Sequence, residues 1–235
     1  MEQGLAVARM PYSTFLIDLD HTLFDSDASE LAAFSRTLGI AGVQPDDGQV
    51  EAFRRINLEL WRQVELGQMI PQQVKLRRFE RLVEELALDA DAGAMAEAYV
   101  AGLANNGELY PGALEVLEAL AESASLALVT NGLGEVQRAR IERTGIRSYF
   151  DAIVISAEVG TAKPAQDIFN IAFDQLGAPQ KETAVMVGDN LASDIRGGTN
   201  YGISTCWYNP RRRQPGPDDR ITHEIHALDG LLALS

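Results

Sequence analysis

The sequence predicts an α/β protein: a Rossmann-like parallel-sheet core domain into which a helical domain is inserted. Short apolar runs that end abruptly in polar residues recur along the chain, and strands buried on both faces of a parallel sheet read this way. Helical patterns alternate with them, as right-handed crossovers between parallel strands require. Residues 26–106 break the alternation, with helical spacing and no strand-like run.

Residues 13–17 form the first expected strand, which stops at Asp18-Leu19-Asp20. Helices follow, marked by Leu31, Phe34 and Leu38, then by Phe53, Ile56, Leu60 and Val64, then by Leu76, Phe79, Val83 and Leu86. Pro45-Asp46-Asp47-Gly48 and Leu66-Gly67-Gln68 separate them, and Ala104-Asn105-Asn106-Gly107 marks the return to the sheet. Residues 26–106 are therefore expected as a helical cap over the strand ends, with residues 1–25 and 107–235 as the core domain.

Within the core, residues 126–129 make a strand ending at Thr130-Asn131-Gly132, residues 152–155 one ending at Ser156, and residues 183–187 one ending at Gly188-Asp189-Asn190. Leu114, Leu117 and Leu120, then Val136, Ala139 and Ile141, then Ile168, Ile171, Ala172 and Leu176 mark the intervening helices. Residues 203–207 read as a further strand, 209–219 as a Pro- and Arg-rich loop, and 228–234 as a short closing helix. Ligands of such sheets bind outside the carboxyl ends of the strands, where the unusual polar residues of this chain fall.

The chain has 235 residues, with 20 Lys and Arg against 34 Asp and Glu, a formal charge of −14 and 46% apolar residues. That is enough for one large core or two modest ones, and it excludes wholesale disorder. So acidic a surface repels a phosphate backbone, and Arg211-Arg212-Arg213 is the only arginine cluster, so no nucleic-acid partner is expected. Salt screens exposed charges beyond roughly 8 Å, so a local cation or metal can still draw in a small anion. Cys206 is the single cysteine and is expected as a buried thiol. The N-terminal residues lack a basic start followed by a long apolar stretch, and no run approaches a membrane span, so a cytoplasmic protein without a membrane partner is expected.

Asp18 and Asp20 lie at i and i+2 after a buried strand, so in extended chain both carboxylates project to one side. Two negative charges there need a cation, and a hard divalent ion with oxygen ligands, most naturally Mg²⁺, would supply it. An isolated pair of this kind reads equally well as a polar turn. Thr130-Asn131-Gly132 offers a hydroxyl and backbone N–H groups to phosphate oxygens, although the same triplet is ordinary turn chemistry. Lys163-Pro164 sits in a loop of small residues, with the proline suited to a helix's first turn. Asp189 follows a strand directly, whereas Asp194 has a plain alternative as a helix cap.

Four such features in order at four strand ends are specific. Asp18-Leu19-Asp20-His21-Thr22, Thr130, Lys163-Pro164 and Gly188-Asp189 through Asp194 resemble the four motifs of the haloacid dehalogenase superfamily, and the helical insertion resembles its C1 cap. Within it, Leu60-Trp61, residues 140–145, residues 154–160, residues 185–189 and residues 205–209 resemble the pyrimidine 5′-nucleotidases.

The resemblance implies a phosphomonoester hydrolase in which Asp18 is the nucleophile and Asp20 the general acid and then base. It implies that Thr130, Asn131 and Lys163 hold the phosphoryl oxygens. Mg²⁺ would be held by the Asp18 carboxylate, the Asp20 backbone carbonyl and Asp189, with Asp194 orienting Lys163 or a metal-bound water. Asp20 favours a phosphatase over a dehalogenase, which has no leaving alkoxide to protonate. A phosphatase acting on a sugar phosphate or an acylneuraminate phosphate, a phosphomutase, and a non-catalytic binding module on the same fold are the competing readings. In the cap, Asn57 and Trp61 share a helical face and could meet a base, although a packing role for Trp61 is the plainer reading. Arg77 and Arg78 are expected as solvated.

Overall fold

The computed structural model describes residues 11–40 and 42–235, so the reading of the first ten residues lies outside the described residues. The sheet consists of β1 (Thr14–Ile17), β2 (Ser125–Thr130), β3 (Ala152–Ile155), β4 (Ala184–Gly188), β5 (Ser204–Tyr208) and β6 (His223–Ile225). These six strands are all parallel, in the order β3-β2-β1-β4-β5-β6. The chain reverses its direction of travel across the sheet at β1, and a switch of this kind opens a crevice at the strand ends.

Alternation along the strands explains the two core layers. Phe15, Ile17, Leu126, Leu128, Val185 and Val187 pack on one face with Leu117 and Ile141, while Leu16, Ala127, Val129 and Met186 pack on the other with Ile168 and Phe169. The covering helices are α5 (Ala113–Ala121), α6 (Gly134–Thr144), α7 (Ser156–Val159), α8 (Gln166–Gln175) and α9 (Arg196–Tyr201), numbered after the four helices of the insertion. Ile17 pairs with Leu128 on one side and Val187 on the other, so these three strands finish level. The residues that follow them emerge along one edge.

The insertion comprises α1 (Ser26–Ile40), α2 (Asp47–Glu65), α3 (Pro71–Leu86) and α4 (Ala92–Asn105), all between β1 and β2. Its apolar stripes close over a separate aromatic core, in which Phe53 stacks on Phe34 with ring centroids 4.3 Å apart and meets Tyr99 edge-on at 5.0 Å. α1 and α4 approach so closely that a Cβ at Gly102 would lie 2.8 Å from that of Ala33. Asp46 starts α2 with a reciprocal cap, its carboxylate accepting from the Gln49 N–H at 2.8 Å.

Several local expectations are corrected. β6 has only three residues, too few to register as a periodic run. The closing segment is a 3₁₀ helix, Leu228–Ala233. Pro164 precedes α8 by two residues instead of opening it, and its peptide bond with Lys163 is cis. Arg78 is 2% exposed because its guanidinium packs on the face of Tyr99, while Arg77 is exposed as expected. Cys206 is fully buried, which pushes its thiol up to about 12. Among the described residues no helix is long and apolar enough to cross a membrane.

Candidate active site

A cavity of about 380 Å³ lies between the strand ends and the insertion, within the range of small-molecule sites. Asp18, Asp20, Asn131, Lys163 and Asp189 line its floor, and Asn57 and Trp61 of α2 line its roof. Seven of the nine residues named from the sequence thus meet at one space. The other two stand just behind it.

Lys163 is the hub. It is 1% exposed, and its Nζ lies 2.6 Å from Asp18 Oδ1, 2.7 Å from Asp194 Oδ1 and 2.6 Å from the Val129 carbonyl. A cation this deep is tolerated because two carboxylates surround it, and their attraction outweighs burial and raises its pKa. Asn131 fixes the lysine's backbone with a reciprocal pair: its Nδ2 donates to the Lys163 carbonyl and its Oδ1 accepts from the Lys163 N–H, both at 2.9 Å. The loop after β2, which carries Asn131, and the loop after α7, which carries Lys163, are thereby tied together.

Asp194 lies under β4 with no exposure at all. Its place depends on Gly188, where a Cβ would stand 2.1 Å from Asp194 Oδ2. Capping falls to Asn190, whose Oδ1 accepts from the N–H groups of Ala192 and Ser193 at 2.8 and 3.2 Å, at the start of a π-helical turn, Leu191–Ile195. Asp194 is free to face Lys163.

Asp18, Asp189 and Asp194 each offer a carboxylate oxygen within 4.8 Å of the others. Burial, and then the charge of Asp194, push the Asp189 carboxyl up to about 6, and burial holds Asp18 well above the carboxylate range despite Lys163. Three carboxylates around one lysine carry surplus negative charge. An all-oxygen, anionic donor set of this kind fits a hard divalent cation. Arg213 reaches the rim, donating to the Asp189 carbonyl at 2.8 Å, while Arg211 pairs with Asp27 at 2.6 Å.

Asp20 is held differently. Arg140 of α6 donates to its Oδ1 at 2.5 Å, Gln137 to its Oδ2 at 2.6 Å, and Ser26 also bonds it. Burial alone would raise its pKa, and Arg140, Ser26, His21 and Gln137 together outweigh burial and keep it below the ordinary value. Gln137 simultaneously donates to Thr130 Oγ1 at 2.9 Å, so Thr130 is fully buried behind it and off the cavity wall. Arg140 also bonds the insertion, to Ser29 Oγ at 3.0 Å and the Leu103 carbonyl at 3.3 Å.

Gln137 and Arg140 were hidden in the sequence because on α6 they fall beside Val136 and Ile141 and pass for part of a helix face. Their i, i+3 spacing is the one signal that they act together. Glu30 and Arg78 also line the cavity, and no motif marks them.

This fold and this set of strand-end residues define a class, and the chain belongs to the haloacid dehalogenase-like hydrolases, whose family pattern it matches over residues 15–208. It is 36% identical to the pyrimidine 5′-nucleotidase YjjG of Escherichia coli, covering 95% of this chain and 99% of that one. It is 34% identical to the pyrimidine 5′-nucleotidase PynA of Streptococcus pneumoniae, over 95% and 94% of the two chains. Among solved structures, the HAD-hydrolase YfnB of Bacillus subtilis, bound to magnesium and described as showing interdomain movement, superposes with a TM-score of 0.87 at 30% identity, over 95% and 98% of the chains.

Proposed function

We propose that this protein is a Mg²⁺-dependent phosphomonoesterase working through an aspartyl-phosphate, with pyrimidine nucleoside monophosphates as its substrates. The observation that carries the reading is the pairing of Asp18 on Lys163 with Asp20 two residues on, both at the floor of one capped cavity. The two nucleotidase relatives, similar over nearly the whole chain, support the substrate class.

Asp18 attacks phosphorus through a carboxylate oxygen, and the bond from phosphorus to the leaving oxygen breaks. That oxygen takes its proton from Asp20. Water then attacks the phosphorus of the acyl phosphate and gives its proton to Asp20, which releases phosphate, restores the Asp18 carboxylate and returns Asp20 to its protonated form. Lys163 offsets charge on Asp18 and on the phosphoryl oxygens, Asn131 completes their cradle from the cavity floor, and Thr130, off the cavity wall, supports Asp20 through Gln137. The Asp18 carboxylate, Asp189 and the Asp20 carbonyl would hold Mg²⁺, which when bound neutralises charge between the carboxylates and the phosphoryl group. Asp194 acts one step back, by orienting Lys163.

Asp20 as it stands carries contacts suited to its ionised, base form. Serving as acid requires exchanging at least one of them for the substrate's leaving oxygen. Trp61 and Asn57 face the leaving group from the roof.

The test is phosphate release from UMP, dUMP, dTMP, purine nucleotides and sugar phosphates, with Mg²⁺ and with EDTA, using Asp18→Asn as the blank. A Mg²⁺-dependent preference for the pyrimidine nucleotides is expected. Hydrolysis led by sugar phosphates would overturn the substrate class, and release by Asp18→Asn equal to wild type would overturn the mechanism.

A further inference from the structure

The roof of the cavity carries polar groups that the protein itself leaves unanswered. Glu30, on α1, lines the cavity with no hydrogen bond and no cation within ion-pair distance among the described residues. Arg78, on α3, is 2% exposed and lines the same cavity. Its Nε donates to the Val74 carbonyl at 3.1 Å, its guanidinium lies 5.1 Å from the Tyr99 ring centroid, and no described carboxylate is within ion-pair distance of it. Asn57, on α2, is 8% exposed and its Oδ1 has no hydrogen-bond partner.

Each omission is costly by itself. A buried acceptor without a donor, such as Asn57 Oδ1, forfeits about 1–3 kcal/mol, and a buried cation without a counter-charge, such as Arg78, is also costly. Asn57 Oδ1 is a buried orphan, the buried Arg78 has no counter-charge and the half-buried Glu30 has no partner, so three helices turn unmet polar capacity on one cavity, and a shared partner would meet it. Glu30 and Arg78 feel each other's charge, yet they face the cavity without touching. What fits between them presents a donor to one and an acceptor to the other.

We propose that Glu30 and Arg78 are the specificity pair for the leaving group: Glu30 accepts an N–H, Arg78 donates to a neighbouring carbonyl, and the pocket thereby selects a neutral ring whose edge sets a donor beside an acceptor. A pyrimidine base offers such an edge. Asn57 adds a third contact to the same ring, and the Arg78 guanidinium is presented in a fixed plane because Tyr99 and Val74 hold it. The inference rests on the nucleotidase reading for the identity of the ring. It adds which residues read it.

The test compares Glu30→Gln and Arg78→Lys with wild type on two phosphoesters with Mg²⁺. UMP reaches the roof, whereas the leaving group of acetyl phosphate is too short to do so. In both variants kcat/KM for UMP is expected to fall by about tenfold or more, carried mainly by KM, with acetyl phosphate unchanged. An unchanged UMP to acetyl phosphate ratio, or an equal loss on both, overturns the pair. Glu30→Gln is nearly isosteric, so it keeps the test decisive even if Arg78→Lys melts. Failure of the nucleotidase reading is separately visible, because it shows in the wild type as no preference for UMP. The ratio is then read on the wild type's own best ring-bearing substrate, and loss of that ratio in Glu30→Gln still supports the pair.

Discussion

Arg140 Nη1 lies 2.5 Å from Asp20 Oδ1, a contact between a helix of the core and the expected acid–base residue, and the same guanidinium bonds both chain crossings into the insertion. The cation is 4% exposed and the carboxylate 25%, so the pair is shielded from salt but not dry. The guanidinium also lies 4.5 Å from the Phe24 ring centroid, which fixes its plane. Position of the insertion and orientation of Asp20 therefore share one residue.

Arg140→Lys keeps the charge and loses the fork. Its rate on phenyl phosphate is expected to fall several-fold more than its rate on p-nitrophenyl phosphate, whose leaving group scarcely needs a proton. Steady-state kinetics on the two esters checks this. An equal loss on both would leave Arg140 a purely structural residue.

On the proposed function, metal and proton would compete for Asp189. With its carboxyl near 6, the concentration of Mg²⁺ needed for half-activity is expected to rise as pH falls below about 6, approaching tenfold per unit. Mg²⁺ titrations of activity between pH 5 and pH 7.5 read this directly.

The same group has a stability signature. A carboxyl raised from 3.8 to about 6 binds its proton more tightly folded than unfolded, so without metal it costs stability as pH rises through that window. The full cost, roughly 3 kcal/mol, is present above pH 6. Melting curves in EDTA and in Mg²⁺ are expected to diverge progressively from pH 5 to pH 7, with the metal-bound curve the higher.

Lys163→Met removes the only cation that pairs with Asp18 and Asp194 among the described residues. Two buried carboxylates are left facing each other, and a loss of about 3–5 kcal/mol is expected from urea denaturation, together with loss of turnover. Gly188→Ala attacks the same cluster sterically, since its new Cβ would overlap Asp194 Oδ2. It is expected to cost about 1–3 kcal/mol in the same measurement.

The parts of the fold legible in sequence are those with strong period or abrupt polarity. β1 to β4 announced themselves as apolar runs cut off by Asp18, Thr130, Ser156 and Asp189, β5 as a further apolar run, and three of the four cap helices by their apolar spacing, whereas α4 is so rich in alanine that no apolar stripe marked it. Asp18 and Asp189 stood out because polar residues at strand ends have few structural reasons to exist, and Lys163 because it sits in a loop of small residues. β6 did not, because His223-Glu224-Ile225 has one apolar residue and borrows its order from β5. Arg78 was misread because arginine in an amphipathic helix is usually solvated, and only the packed Tyr99 ring makes its burial possible. Gln137 and Arg140 were missed for the opposite reason: a mostly buried face of α6 hides two polar anchors among apolar neighbours.

The chain leaves the sheet after β1 and returns before β2, so every residue of α1 to α4 belongs to one uninterrupted insert, while Asp18, Lys163, Asp189 and Asp194 lie wholly outside it. On the proposed function, selectivity and reactivity are in that sense written on separate stretches of polypeptide. On the proposed reading, substitutions within the insert would alter the leaving-group contacts without touching Asp18, Lys163, Asp189 or Asp194, provided the Ser26 contact to Asp20 and the Ser29 and Leu103 contacts to Arg140 survive.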